Sequence, residues 1–240
     1  MIKFFRKVRQ NLLSEGKTGK YLKYAIGEIV LVVIGILIAL SINNLNENRK
    51  ETNFEQKILK ELKSDFSYNK SELNRNIIKA TVLAHNCDSL LALFNLPKDE
   101  VDPGKFFNYM RKLGGYSTFN PSNGSLNSLI SSGNLYILKN DSLRLHLARW
   151  SGILEDVKED EKRLIDFGDT RMNPIILEYL HPKSESASVD PALLENLKFE
   201  NIVRTIRGRA NYNVENYTIL DLEITQILDE IERELNSEQK

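Results

Sequence analysis

Residues 24–44 read YAIGEIVLVVIGILIALSINN, and the assignment of this stretch decides the fold. No charge lies between Ile29 and Asn46, and residues 29–40 are apolar apart from Gly35. A helix needs about 20 mostly apolar residues to cross the hydrocarbon layer of a bilayer. The stretch reaches that length once 24–27 and 41–45 are included. Glu28 then sits at one end, where a carboxylate reaches the headgroups or a neighbouring helix. The sequence therefore predicts three regions: a basic cytoplasmic tail at 1–23, a transmembrane helix at 24–45 and an extracytoplasmic helical domain at 46–240.

The flanks set the predicted orientation. Lys3, Arg6, Lys7, Arg9, Lys17, Lys20 and Lys23 precede the span against a single opposing Glu15, whereas Glu47, Arg49, Lys50 and Glu51 beyond it are mixed. By the positive-inside rule the N-terminus faces the cytoplasm and the C-terminal domain faces the far side of the membrane. The tail also places Phe4, Phe5, Val8, Leu12 and Leu13 on one helical stripe among its cations. Two readings fit it: an amphipathic helix on an anionic surface, or simply the charged flank of an anchor. A cleaved signal peptide would use Ala39-Leu40-Ser41, but the basic leader is long, Glu28 opens the apolar run, and the residues that follow have helical patterning. A buried core helix leaves the basic block unexplained.

Within the span, Gly27, Leu31, Gly35, Ala39 and Asn43 recur every four residues. Gly35 and Ala39 form a small-xxx-small pair, and Asn43 is placed to hydrogen-bond across a helix pair. Gly27, Gly35, Ala39 and Asn43 are thus the expected self-association face, although glycine is common in spanning helices generally.

Apolar residues make up 41% of the 240-residue chain, enough for a packed core. Lys+Arg and Asp+Glu number 33 each, and this balance argues against nucleic acid as a partner. The expected partners are the lipid bilayer and either a second copy or another membrane or periplasmic protein. Cys87 is the only cysteine, which excludes an intramolecular disulfide and any multi-cysteine metal site. Its two readings are a small buried hydrophobe and an intermolecular bridge.

Beyond the span the pattern is helical. Phe54, Ile58, Leu62, Phe66, Leu73, Ile77, Leu83 or Ala84, Cys87, Leu91 and Phe94 keep helical spacing, and no Pro or Gly intervenes before Pro97. This predicts one long amphipathic helix, continuous with the span or separate from it. Asp102-Pro103-Gly104 signals a turn, and Phe106, Phe107, Met110 and Leu113 signal a short helix closed by Gly114-Gly115. Ser122 is the expected cap of a helix over 123–132 stopped by Gly133. Residues 135–139 read equally as an extended connector or a helical turn. Asn140 or Asp141 caps a helix through Leu143, Leu147, Trp150, Leu154, Val157 and Leu164. Residues 181–191, HPKSESASVDP, read as a polar loop after the helical stretch NPIILEYL. From about Phe199 a last helix, soft at Gly208, carries Tyr217, Leu220, Ile224, Ile227, Ile231 and Leu235 at alternating three- and four-residue steps, a heptad seam. Strand signals are nearly missing. The expected fold class is all-α, one transmembrane helix followed by an antiparallel helical bundle.

The string GEIVLVVIGILIALSINNLNE at 27–47, with the basic leader before it, resembles a family of uncharacterised membrane proteins of Bacteroidota. These proteins share a basic tail, a span opened by Glu-Ile and an exit of the form Asn-Asn-x-Asn-Glu. The resemblance covers about the first 50 residues and extends more loosely through 126–150, LNSLISSGNLYILKNDSLRLHLARW. Leu45 stands where the family often carries Trp. The resemblance implies single-pass topology and an inner-membrane location. It implies no activity, because the family is a domain of unknown function.

Catalytic groups are sparse. Ser67 and Lys70 match a serine-x-x-lysine pattern, and 125–127 and 17–19 match its companion boxes, but the predicted topology puts Lys17 on the opposite side of the membrane. His85, His146 and His181 are far apart, and no Gly-rich phosphate loop is present. Neither a cofactor, a metal nor an enzymatic activity is expected. The acidic runs 155–156 and 159–161 read as solvated helix face. Residues 114–124, GGYSTFNPSNG, form the main irregular segment, with Tyr116, Phe119, Asn120 and Asn123 as candidate binding residues. The alternative reading has Tyr116 and Phe119 plug the bundle. At the level of function, an interaction, scaffold or sensor-like module is expected, with a small-molecule-binding or enzymatic bundle built on 114–124 as the alternative.

Overall fold

The computed structural model describes residues 18–181 and 188–237. The amphipathic stripe expected within 1–17 and the middle of the polar loop expected at 181–191 lie outside the described residues. The chain divides into two compact units, Met1–Gln56 and Lys57–Lys240.

Helix α1, Thr18–Phe94, contributes to both units. It carries the one segment among the described residues that is long and apolar enough to cross a membrane, and no residue of its 18-residue apolar window is buried. The large side chains from Ile29 to Leu45 are exposed. Among the described residues nothing buries this part of the helix. The helix stops three residues short of Pro97, whose ring and missing N–H disfavour further helical turns.

α1 begins to bury its apolar stripe at Ile58 and Leu59 of the second unit, while Phe54, in the first, is exposed. Helix α2, Pro103–Arg111, starts with proline inside its first turn, and the Asp102 carboxylate accepts the Lys105 N–H at 2.7 Å. Helix α3, Gly124–Ser131, ends at Gly133, whose φ of 70° is the left-handed geometry that glycine adopts freely. The ambiguous stretch after it forms a short 3-10 turn, Asn134–Ile137. Helix α4, Asp141–Phe167, is capped by Asn140, whose Oδ1 accepts the Leu143 N–H at 2.9 Å. A π-helical turn, Gly168–Met172, leads into α5, Asn173–Tyr179. A two-residue antiparallel pair, β1 at Leu180–His181 and β2 at Ser188–Val189, closes the next connection. Helix α6, Leu197–Ser237, begins where Asn196 Oδ1 accepts the Phe199 N–H and runs unbroken through Gly208.

The core forms two clusters. In one, Leu59, Leu62, Phe66 and Leu73 of α1 meet Leu143, Leu147 and Trp150 of α4 and the 217–231 stripe of α6. In the other, Leu83, Cys87 and Leu90 meet Leu164 of α4, Met110 of α2 and the 199–210 stripe of α6. The helical bundle expected from sequence is thus present, and α6 runs antiparallel to both long partners. α1 and α4 run parallel to each other, a departure from a wholly antiparallel bundle. Residues 95–140, with α2 and α3, bring the chain back along α1 before α4 begins.

The heptad seam of α6 is consumed inside this core. Tyr217, Leu220, Ile224, Ile227 and Ile231 are each 1% exposed or less, so the seam is not an open coiled-coil face. Cys87 is fully buried, which removes the intermolecular bridge from its two readings, and burial lifts its thiol to about 12.

Candidate functional site

Segment 114–124 is held by side chains from three helices. Asn69 of α1 accepts the Ser122 N–H at 2.7 Å and donates to the Ser122 carbonyl at 2.9 Å, so one amide satisfies both backbone groups. Asp65, one turn earlier, accepts the Ser122 hydroxyl at 2.8 Å and the Ser125 N–H at 3.0 Å. Ser122 is therefore not the cap of α3. The cap position is Asn123, which makes no side-chain capping bond, and the Asp65 carboxylate meets the first turn of α3 from across the bundle. Asn123 Oδ1 instead accepts the Trp150 indole N–H at 2.9 Å.

At Phe119 the segment enters the core. The ring is fully buried, and the Phe119 N–H donates to Glu161 Oε1 at 2.8 Å. The same oxygen accepts the Tyr217 hydroxyl at 2.6 Å. Glu161 is 3% exposed, a correction to the expectation that 159–161 forms a solvated face. Only Glu159 and Asp160 of that run meet Arg163 at the surface. Burial raises the Glu161 pKa above its ordinary 4.5, against the opposing pull of Tyr217, the Phe119 amide and Lys158. Burial and the adjacent carboxylate raise Tyr217 as well.

A carboxyl group whose folded pKa lies above its unfolded value binds protons more tightly in the native state. Its contribution therefore grows as pH falls through the folded pKa toward 4.5 and is lost as pH rises. Glu161→Gln keeps an acceptor for both donors but has no charge to desolvate. The stability advantage of Glu161→Gln over wild type should accordingly be largest near neutrality and shrink on acidification, measured by urea unfolding from neutral pH down toward 4.5. An advantage that grows on acidification would refute the buried-carboxylate account.

Tyr116 fills a socket made by absence. A Cβ at Gly168 would overlap the Tyr116 ring and hydroxyl, so the first residue of the π turn must be glycine for the ring to seat. The hydroxyl lies 3.9 Å from Met172 Sδ, and burial, with Asp169 and Cys87 nearby, raises it to about 12.

The four candidate binding residues do not converge. Tyr116 and Phe119 point into the core, Asn123 holds Trp150, and exposed Asn120 donates to Thr118 Oγ1 at 3.1 Å. A cavity of about 320 Å³ borders Thr118, Phe119 and Asn120, with Lys158, Glu161 and Lys162 opposite. A second, of about 560 Å³, opens beside Gly114 and Gly115. Lys70 is engaged by Asp221 at 2.9 Å and Thr225 at 2.6 Å, both on α6, and His146 Nδ1 lies 2.7 Å from Glu223 Oε1. On the expected self-association face, Gly27 and Gly35 have open space around them. Asn43 donates to Glu47 Oε1 of its own helix at 3.2 Å.

The residues that position the segment were not singled out from sequence, yet a signal was present. Asn69 continues the buried stripe of Leu62, Phe66 and Leu73, and Glu161 continues that of Leu154, Val157 and Leu164. A polar residue in register with an apolar stripe must find a hydrogen-bond partner when the stripe is buried.

No curated protein and no solved structure matches the chain. A model described as a family of unknown function (DUF6090) matches residues 28–155. The match starts at Glu28 of the apolar run and includes Asp65, Asn69, Asn123 and Trp150, while Glu161 and Tyr217 lie outside it. It covers more than half of the sequence, and the chain belongs to this family of unknown function.

Proposed function

We propose that the protein is a single-pass, membrane-anchored binding module of the bacterial inner membrane. Residues 1–23 lie in the cytoplasm, 24–45 span the bilayer, and 46–240 form a periplasmic helical domain that engages a partner or ligand as a scaffold or sensor-like unit. The observation that carries this reading is the apolar window of α1, none of it buried in the chain. Burying this surface is strongly favourable at about 25 cal/mol per Å² of apolar area, and none of the window is buried among the described residues. The basic leader supports the orientation.

Reporter fusions test the topology. Alkaline phosphatase joined after Lys240 should be active and a fluorescent protein joined there dark, with the reverse for fusions ahead of Met1. Cytoplasmic Lys240 would overturn the proposal.

A further inference from the structure

The cavity of about 560 Å³ beside Gly114 and Gly115 joins three features that suit one kind of ligand. Its walls are apolar: Ile78 and Val82 of α1 are 63% and 52% exposed there, next to buried Leu83. Lys79, Arg111 and Lys112 rim it, and none makes an ion pair or side-chain hydrogen bond among the described residues. Asn86 also lines it. That residue is only 6% exposed, yet its amide has no hydrogen-bond partner among the described residues, and no fully enclosed side-chain polar atom is left unsatisfied. The Asn86 amide therefore meets solvent through the cavity, a buried polar group facing an open site.

We propose that this groove binds a long-chain fatty acid, its carboxylate held by Lys79, Arg111 and Lys112 with Asn86 and its alkyl chain lying over Ile78 and Val82. The volume lies within the range of about 300–1,000 Å³ usual for small-molecule sites. Gly114 and Gly115 present no side chain to the groove, leaving a smooth bed suited to methylenes rather than to the interlocking side chains of a protein segment. Free cations around an apolar trough match an anion with an apolar body, because charge-assisted hydrogen bonds fix the head while burial holds the tail. The inference gives a ligand class to the binding module proposed above and rests on that reading, but not on which side of the membrane the module faces.

The test uses the full chain in phosphatidylcholine nanodiscs with a palmitic acid analogue carrying a mid-chain diazirine, the photolabel being mapped by peptide mass spectrometry. Label is expected within 78–86 and 111–115, competed by palmitate and not by 1-hexadecanol. Lys79→Gln/Arg111→Gln/Lys112→Gln should lower it by about tenfold or more, while label within 25–45 serves as an unchanged internal reference. Gly114→Phe is a second, steric variant: a Cβ there meets nothing within 4 Å, so the added ring projects into open space. It should also abolish label at the groove. Label confined to 25–45, equal competition by 1-hexadecanol, or retention in both folded variants would overturn the proposal. Displacement by phosphatidylglycerol in the discs would assign the groove to a bilayer lipid, and chain-to-chain crosslinks from 78–86 to a protein; either overturns it. None of these outcomes alters the topology measurement, so the two readings fail separately.

Discussion

Replacing Trp150 by alanine should cost the helical unit about 3–5 kcal/mol of stability, the usual loss for truncating a large buried aromatic. The side chain is 1% exposed and sits edge-on to Phe66, with ring centroids 5.0 Å apart and an interplanar angle of 69°. Its indole N–H is also the donor that Asn123 receives. The substitution thus opens a cavity between α1 and α4 and releases one end of segment 114–124. Trp150→Phe should lose less, since an aromatic ring still packs against Phe66, although part of the buried ring volume is lost along with the hydrogen bond to Asn123, the bond being worth about 0.5–1.5 kcal/mol. Urea unfolding followed by far-ultraviolet circular dichroism measures both, because Trp150 is the only tryptophan and its removal eliminates the fluorescence probe. A loss below about 1 kcal/mol for Trp150→Ala would mean that this cluster does not hold the bundle together.

The second large effect is expected in the apolar run. Val33→Arg together with Leu37→Arg puts two cations one turn apart near the middle of the predicted span. Each arginine at a helix centre costs about 2.5–3.5 kcal/mol of insertion free energy. The double variant should fail to integrate and should leave the membrane fraction, or be degraded. Leu37→Ile, apolar and of equal size, should behave as wild type. Normal integration of the double variant would show that this segment is not what anchors the chain.

How much of this was legible in the sequence depends on whether a residue's partner lies on its own helix. Leu143, Leu147, Trp150 and Leu154 announce α4 by spacing alone, because the stripe that buries them is periodic in one element. Asn140, with Asp141 as the alternative, announces a cap, since the N–H group it receives lies three residues away, whereas Asp102 announces only a turn and proves to cap α2. Ser122 misled for the same reason. It has the residue type and position of a cap, but a carboxylate fifty-seven residues earlier in the chain, Asp65, competes for its hydroxyl and serves α3 in its place.

Glu161 shows the same limit from the other side. Between Asp160 and Lys162 it reads as part of a charged surface, and only the stripe through Val157 and Leu164 hints that it turns inward. Its partners, Phe119 and Tyr217, are more than forty residues away in opposite directions. The heptad seam of α6 was visible, but periodicity cannot say whether a seam meets another chain or its own; here it meets α1 and α4. The groove beside Gly114-Gly115 was invisible because its walls come from α1 and the end of α2, brought together only by the return of residues 95–140.

Washing membranes that contain the native chain with alkaline carbonate addresses the anchor most directly, since it strips peripheral proteins and leaves integral ones. The intact polypeptide should remain with the pelleted bilayer and enter solution only when detergent is added. Its appearance, uncleaved, in the detergent-free wash would contradict a lipid-embedded α1 and with it the proposed anchoring of the whole molecule.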